Sequence, residues 1–565
     1  MPLPRSHLRS AGSWWAITFL AACSETSAPE DLPKAVAAPD SGVAIVEADA
    51  GADAAPPAPR KTTPALLGDG GEGFYPRAIQ LADGTILASV VSPQASGRLG
   101  ATIYESTDDA LTFHAVGHVD DTLAAGGLCC GTLYELPRAI GTTAPGTLLW
   151  SASVGGNKPD APMQIPIWAS SDRGRTWTRW STLATATKPR SGGGLWEPEF
   201  HVIDSGALVA HYSDETDPSH SQKLVAVQTL DGTNWVQRKD TVALASAALR
   251  PGMAAVRRMS RGTFVMSYEI CAQPNDSCTA HLRFSSDGWD WGDRTQTGTR
   301  PITLQGVHVR HAPTLAFSAA PGSNGRLWLV GQMVYDFGGN VAPENGSVIF
   351  GNTEGGVGSW YPVPAPVPIP NPTDNFCPNY SSLILPIDQG KVALEIASRP
   401  EGGKCRAYFA RGPLLGTGDS EGIAANVPVA LASLQSGKCL EVAGGATTSG
   451  AGIVQSTCST LANQTWTPVP AAEGSYALHV SHSGMCLGVA SEAKAGVKLV
   501  QQPCDANANT QRWSFRNVGM GHYAMRHFTS GLCADVEGGA KDQGAAIQLW
   551  SCNDLAPQIW QLTKR

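Results

Sequence analysis

VIDSGALVAHY, residues 202–212, is an apolar run broken by Asp204-Ser205-Gly206 and resumed at once. Such a stretch folds as two antiparallel strands about a tight turn, because glycine supplies the turn backbone and the residues on either side suit strands. The same pattern recurs at Gly84 (QLADGTILAS), Gly146 (TAPGTLLWSA), Gly262 (RMSRGTFVMSY), Gly325 (GSNGRLWLVG) and Gly390 (PIDQGKVALEI), at spacings of 56 to 65 residues. Six hairpins at this period, each followed by a further strand pair, predict an all-β chain whose middle closes into a six-bladed β-propeller.

The start of the first strand and the end of the second lie at the same end of an antiparallel hairpin. Glu197, in GGLWEPEF, stands nine residues before its turn glycine, and Glu269, in MSYEI, seven after its own. Both therefore belong to the rim opposite the glycine turns, in consecutive blades. The same rule gathers Tyr75, Arg77, Trp196, Tyr212, Glu215, Arg250, Tyr268 and Tyr380 at that rim. Carboxylates for acid and base work, aromatic faces for stacking and arginines for hydroxyl groups are what a sugar site needs. Glu199 rivals Glu197 if the strand is regular, and with Glu215 it is otherwise a carboxylate that orients the first or binds substrate hydroxyls.

The chain has 565 residues, too many for one ordinary core; 62 glycines, 40 prolines and 16% charged residues suit turn-rich β-structure. A net charge of −8 without a long basic run excludes nucleic acid as an expected partner. Arg5 and Arg9 precede a short apolar run that ends in Leu20-Ala21-Ala22-Cys23, an export signal that resembles the bacterial lipoprotein cleavage box. The expectation is a signal peptide over 1–23, Cys23 lipidated and a place in the cell envelope or on the outer-membrane surface. The open alternative is ordinary secretion with a chance cysteine. Residues 24–63, rich in Ala, Pro, Asp and Glu, read as a disordered tether.

Thirteen cysteines less Cys23 leave twelve, an even number as an oxidising compartment favours. Proximity in sequence suggests Cys271 with Cys278 beside Glu269, and Cys377 with Cys405 across the ends of the sixth blade's inner hairpin. Cys129 and Cys130 are adjacent, and either a vicinal disulfide or two buried thiols fit. No cluster has zinc-ligand spacing, so no metal or other cofactor is expected, and the protein is expected to be a monomer.

From 427 to 565 a second repeat begins, in three units of about 47 residues. Each carries two cysteines and a Gln-x-Trp: Cys439, Cys458 and Gln464-Thr465-Trp466; Cys486, Cys504 and Gln511-Arg512-Trp513; Cys533, Cys552 and Gln558-Ile559-Trp560. This resembles the ricin B-type β-trefoil lectin. The resemblance implies one disulfide per repeat, three core tryptophans, and sugar binding by an acid after the first cysteine with a glutamine and an aromatic before the second. The third repeat keeps that set as Asp535, Gln548 and Trp550, with Gln558 beside it, and departs at Pro557, where an Asn often stands. The first has Glu441 but Val454 and Ser456, and the second has Gly488 in place of the acid. One live carbohydrate site is the expectation.

SSDRGRTW, TLDGTNW, SSDGWDW and a worn STDDALTF, which end several outer strand pairs, resemble the Asp-boxes of sialidase-type propellers and read as structural turns. Tyr75-Pro76-Arg77, GLWEPEF, Arg250 to Met253, SYE and NYSSL resemble glycoside hydrolase family 93, over about residues 70 to 410 of a propeller domain placed at 64–418. The resemblance implies an exo-α-1,5-L-arabinanase in which Glu197 and Glu269 carry retaining hydrolysis of a polysaccharide chain end. Which of them is nucleophile is left open. A sialidase is the alternative, with Arg77, Arg250 and Arg310 on a substrate carboxylate and Tyr380 as nucleophile. Against it, residues 89–104 hold no aspartate to act as acid. A non-catalytic carbohydrate-binding adhesin is the third.

Overall fold

A computed structural model describes residues 62–565 other than 275, 304–305, 320–324, 353–354, 359, 391, 415–422, 472–474, 506, 520–521 and 554. The leader with Cys23 and the tether up to residue 61 lie outside the described residues. Six antiparallel sheets follow one another, with inner strands Phe74–Gln80, Leu128–Glu135, Leu195–Val202, Arg250–Arg258, Thr314–Ser318 and Leu383–Ile387. All six turn glycines join an inner strand to the second strand of its blade, and all have positive φ, between 64° and 92°, where a Cβ is disfavoured. The ring closes through chain segments far apart in sequence. Ala65–Leu66 pairs with Lys404–Pro413 as the outermost strand of blade six, so the first residues of the propeller complete its last blade.

Cores lie between neighbouring blades, where side chains from facing sheets interdigitate. The outer turns behave as read from the sequence: Asp172 accepts from the amides of Arg175 and Thr176, Asp231 from Thr233 and Asn234, Asp287 from Trp289 and Asp290, and Asp108 from Leu111 and Thr112. Their aromatics, Trp177, Trp235, Trp291 and Phe113, pack into the interblade cores.

His201 and His211 stack between blades three and four with ring centroids 5.3 Å apart, both fully enclosed. Burial holds His201 down at about 4 and His211 well below its usual value, so the fold needs both neutral. A depressed histidine contributes stability that is complete above pH 6.5 and is lost as pH falls towards 4. Glu269 and Glu395, both raised to about 8, move the total the other way over this range, so the histidine contribution is read against a variant: between pH 7.5 and 4.5 the wild type is expected to lose about 2 kcal/mol relative to His211→Phe in denaturant unfolding.

Twelve strands between Val429 and Lys564 form the second body, closed by pairing of Val429–Ser433 with Ile559–Lys564. Trp466, Trp513 and Trp560 are wholly buried in one core, and their indoles donate to the carbonyls of Leu440, Leu487 and Ala534 at 3.0, 3.0 and 3.1 Å. Three equivalent bonds give the barrel its threefold repeat.

All twelve described cysteines are paired: Cys129–Cys130, Cys271–Cys278, Cys377–Cys405, Cys439–Cys458, Cys486–Cys504 and Cys533–Cys552. Cys377, ahead of the first strand of blade six's inner hairpin, and Cys405, just past the second, are joined across the ends of that hairpin. Among the described residues no helix is long and apolar enough to cross a membrane.

Candidate functional site

Each inner strand bends at the end opposite its glycine turn. In four blades the register between inner and second strand slips there, and the extra residue, Tyr75, Cys130, Glu197 or Met253, has φ between 55° and 65°. Ala312 (φ 47°) and Ser381 (φ 53°) hold the matching places before the inner strands of blades five and six. A bulge in the left-handed region costs a residue with a Cβ about 1–3 kcal/mol and re-aims its side chain. Four such bulges, with the left-handed residues Ala312 and Ser381 in the other two blades, lie at the blade ends opposite the glycine turns, and the Met253 and Ala312 amides donate to Glu197 and Glu269 there.

Glu197 is the bulge residue of blade three. Its amide donates to Ser153 Oγ at 3.1 Å, while its Oε2 accepts from Ser213 Oγ at 2.7 Å and from the Met253 amide at 2.8 Å. Burial pushes the carboxyl above its usual range, and the two donors pull back part of that. Glu269 lies two residues from the end of the second strand of blade four, Phe264–Cys271, where its Oε2 accepts from the Ala312 amide at 2.7 Å. Burial, and next the charge of Glu197, push it up to about 8. One carboxyl with two donors and one with a single donor and a raised proton affinity are an unequal pair.

Tyr75 and Tyr380 face each other with centroids 6.1 Å apart, and the fields of both glutamates reach Tyr380. The Arg77 guanidinium stacks 4.3 Å from the Tyr75 ring and donates to Ser381. Glu215 accepts from the Gly194 amide and is clamped by Arg250 and Arg190. Burial pushes its carboxyl up, but the hydrogen bonds from Arg250 and Trp196 outweigh this and keep it ionised. Arg190 also lies over the Trp196 ring at 4.9 Å.

Several expected members lie elsewhere. Tyr212 and Tyr268 are at the right end of their strands but on the wrong face: the blades stand edge-on to the axis, and both rings are buried against a neighbouring blade. Ser213 and Glu269, one residue on, face the site instead. Arg310 pairs with Asp276 at 2.8 Å in a side cleft with Arg300 and His308. Glu199 is separated from Glu197 by the bulge and lines a lower cavity of about 620 Å³ towards the glycine turns, where it accepts from Thr132, the Val256 amide and Arg257. Arg77, Arg250 and Arg310 are thus held by separate partners and do not converge on one anion, as a sialidase would require.

Sequence reading missed Ser153, Ser213, His311 and Asp374, and held Met253 only as the end of a motif, without its amide's role. His311 brings a ring nitrogen within 4.8 Å of the Glu269 carboxylate and sits 3.4 Å from Asp374. The third neighbour in that group, Cys278, is committed to a disulfide.

In the trefoil's third repeat Asp535 Oδ1 accepts from Gln548 and Oδ2 from Gln558, both at 3.1 Å, beside Trp550, 45% exposed. Gln558 is fully buried and also donates to the Ser551 carbonyl, so it orients the acid and does not reach a ligand. Lys498 reaches across from the second repeat to Gln548 Oε1 at 3.2 Å. In the first repeat Gln464 holds Glu441 in the same way, but Val454 lies opposite it. In the second, a Cβ at Gly488 would stand 2.4 Å from Gln502 Oε1, so Gln502 fills the place of the acid.

Residues 427–560 match the ricin-type beta-trefoil lectin domain. No curated protein matches the chain. Among solved structures, the Penicillium chrysogenum alpha-L-arabinanase complexed with arabinobiose is similar at 24% identity and TM-score 0.54, over 63% of this chain and 99% of that one. The GH93 alpha-L-arabinofuranosidase of Fusarium graminearum with arabinobiose is similar at 25% identity and TM-score 0.54, with the same coverage. Ahead of a ricin-type β-trefoil lectin domain, the chain therefore carries a six-bladed propeller that shares its fold with these glycoside hydrolases of the arabinanase and GH93 arabinofuranosidase kind.

Proposed function

We propose that the propeller, residues 64–418, is a retaining exo-acting glycoside hydrolase of linear α-1,5-arabinan, and that the trefoil, 427–565, holds the polysaccharide near it. The observation that carries this reading is the unequal carboxyl pair, Glu197 and Glu269, at the blade ends opposite the glycine turns. Glu197, anchored by Ser213 and the Met253 amide, is the nucleophile that attacks the anomeric carbon. Glu269, which keeps its proton near neutrality, gives it to the leaving oxygen and then takes one from the attacking water. Tyr380 and Trp196 offer ring faces to the sugars, Tyr75 backs Tyr380 from the interblade core, and Arg250 with Glu215 braces the upper wall. The arabinobiose in the two similar structures supports this choice of sugar. Export and tethering through Cys23 complete the reading: a monomeric enzyme held at the cell surface where polysaccharide ends are met.

Incubation of the soluble body with linear arabinan is expected to release arabinobiose, and a fluorogenic sialoside should stay intact. Free sialic acid, or binding of glycan without any product, would sink the reading. Trp550→Ala should weaken retention on polysaccharide about tenfold in a depletion assay and leave turnover of short oligosaccharides unaltered, since a ring stacked on a sugar contributes about 1–1.5 kcal/mol.

A further inference from the structure

Asp535, Gln548 and Trp550 all come from the trefoil's third repeat, but a loop of the second repeat is tied to the strand Ile547–Trp550 that carries two of them. The Gly496 amide donates to the Leu549 carbonyl and the Leu549 amide to the Val497 carbonyl, both at 2.8 Å. A Cβ at Gly496 would stand 4.0 Å from the Trp550 ring, so the loop reaches the ring without covering it. Lys498 ends this loop. Its ammonium donates to Gln548 Oε1 at 3.2 Å and pairs with the Glu537 carboxylate.

The threefold repeat supplies an internal comparison. Lys498 lies opposite Gln548; in the equivalent places Ala546 lies opposite Val454, and Gly452 opposite Val500. Glu537 stands four residues after the first cysteine of its repeat, where the other two repeats have Ala443 and Ala490. The lysine and its glutamate therefore occur only where the acid, the glutamine and the tryptophan occur together. In the first repeat the neighbouring loop instead places Gln543 on Ser456 Oγ and the Thr457 amide, where the aromatic would stand.

Folding does not account for the pair, because its side chains are 40% and 53% exposed and an ion pair so placed adds little stability. Recognition does. An ammonium has donors only, so it fixes Gln548 with Oε1 towards Lys498 and Nε2 towards Asp535, whose Oδ1 accepts at 3.1 Å. The amide is held at both ends. Without Lys498 it is held at one.

We infer that Lys498 is a positioning residue of the trefoil's carbohydrate site: supplied by the second repeat and steadied by Glu537, it holds Gln548 so that the second N–H of its amide meets a sugar hydroxyl. The inference rests on the reading of the trefoil as the part that holds arabinan, and adds a residue from outside the third repeat. Affinity electrophoresis in linear arabinan tests it, in the Glu197→Gln background so that the polysaccharide stays intact, with Trp550→Ala as the reference for a lost site. Lys498→Met keeps the aliphatic stem and removes the charge. It is expected to weaken binding about fivefold with an unchanged melting temperature, and Lys498→Arg to bind within about twofold of the parent. Parental binding by Lys498→Met, equal losses in the two variants, or a loss accompanied by a lower melting temperature overturns the inference, while Trp550→Ala still reports on the trefoil reading. A parent protein that arabinan does not retard overturns both.

Discussion

Glu197→Gln should lower kcat on arabinan by about 10⁴-fold, equivalent to about 5.5 kcal/mol of transition-state stabilisation, while the protein melts as the wild type does. The amide keeps the carbonyl oxygen that Ser213 and the Met253 amide donate to, so the bulge and its neighbours have no reason to move. What is lost is the negative oxygen that attacks the anomeric carbon. The smaller Glu197→Ala separates this role from its alternative. Azide added to that variant should occupy the vacated space and restore product as a glycosyl azide of inverted configuration. Azide on Glu269→Ala should instead intercept the covalent intermediate and give the retained configuration. The opposite assignment of configurations would exchange the two roles.

Glu269→Gln is expected to cost nearly as much on arabinan, about 10³-fold, but far less on an aryl arabinobioside whose leaving group needs no proton for the first step. Its pH dependence carries a second mark. The wild-type rate should fall above about pH 8, as the proton that burial and the Glu197 charge hold on Glu269 is finally lost, and the variant should lack this alkaline limb. The two carboxyls titrate as a pair, so the limb belongs to both. Stability moves the other way. A carboxyl whose folded value is raised from 4.5 to about 8 contributes stability that is complete below pH 4.5 and lost as pH rises through 8. At pH 9 Glu269→Gln should therefore be more stable than the wild type by about 3 kcal/mol in denaturant unfolding. An unchanged alkaline limb would remove Glu269 as the acid.

Periodic features of this chain were legible in its sequence and single-residue departures from them were not. Glycine turns at 56 to 65 residues and three Cys-Cys-Gln-x-Trp units specify repeated bodies, because each repeat buries its apolar faces only against its neighbours. Counting from a turn glycine also places a residue at the correct end of a blade, which brought Glu197 and Glu269 to one mouth. It does not give the face. Tyr212 and Tyr268 are where the count puts them along the strand, yet the alternation sends each ring into an interblade core. Bulges add a further shift: Glu199 would share a side with Glu197 on a regular strand, but the slipped register sends it to Thr132 and Arg257 in the lower chamber.

The signal for those bulges was present all the same. Tyr75, Glu197, Met253 and Ser381 each stand nine residues before a turn glycine, and the coincidence has meaning only once the left-handed backbone at all four is seen. Closure of the ring by Ala65–Leu66 had no comparable mark, since two residues cannot show a period. Arg310 was assigned to a substrate carboxylate by its charge, and Asp276, two residues before Cys278 in the disulfide-closed loop, holds it elsewhere.

The central claim is that Glu197 and Glu269 act in turn through a covalent intermediate. Cleavage of linear arabinan in the presence of methanol tests it most directly, with the anomeric configuration of the methyl glycoside read by proton NMR. The account predicts methyl arabinobioside of the α configuration, formed by the wild type and absent with Glu197→Gln. A β-configured methyl glycoside, or α product undiminished in Glu197→Gln, would contradict it.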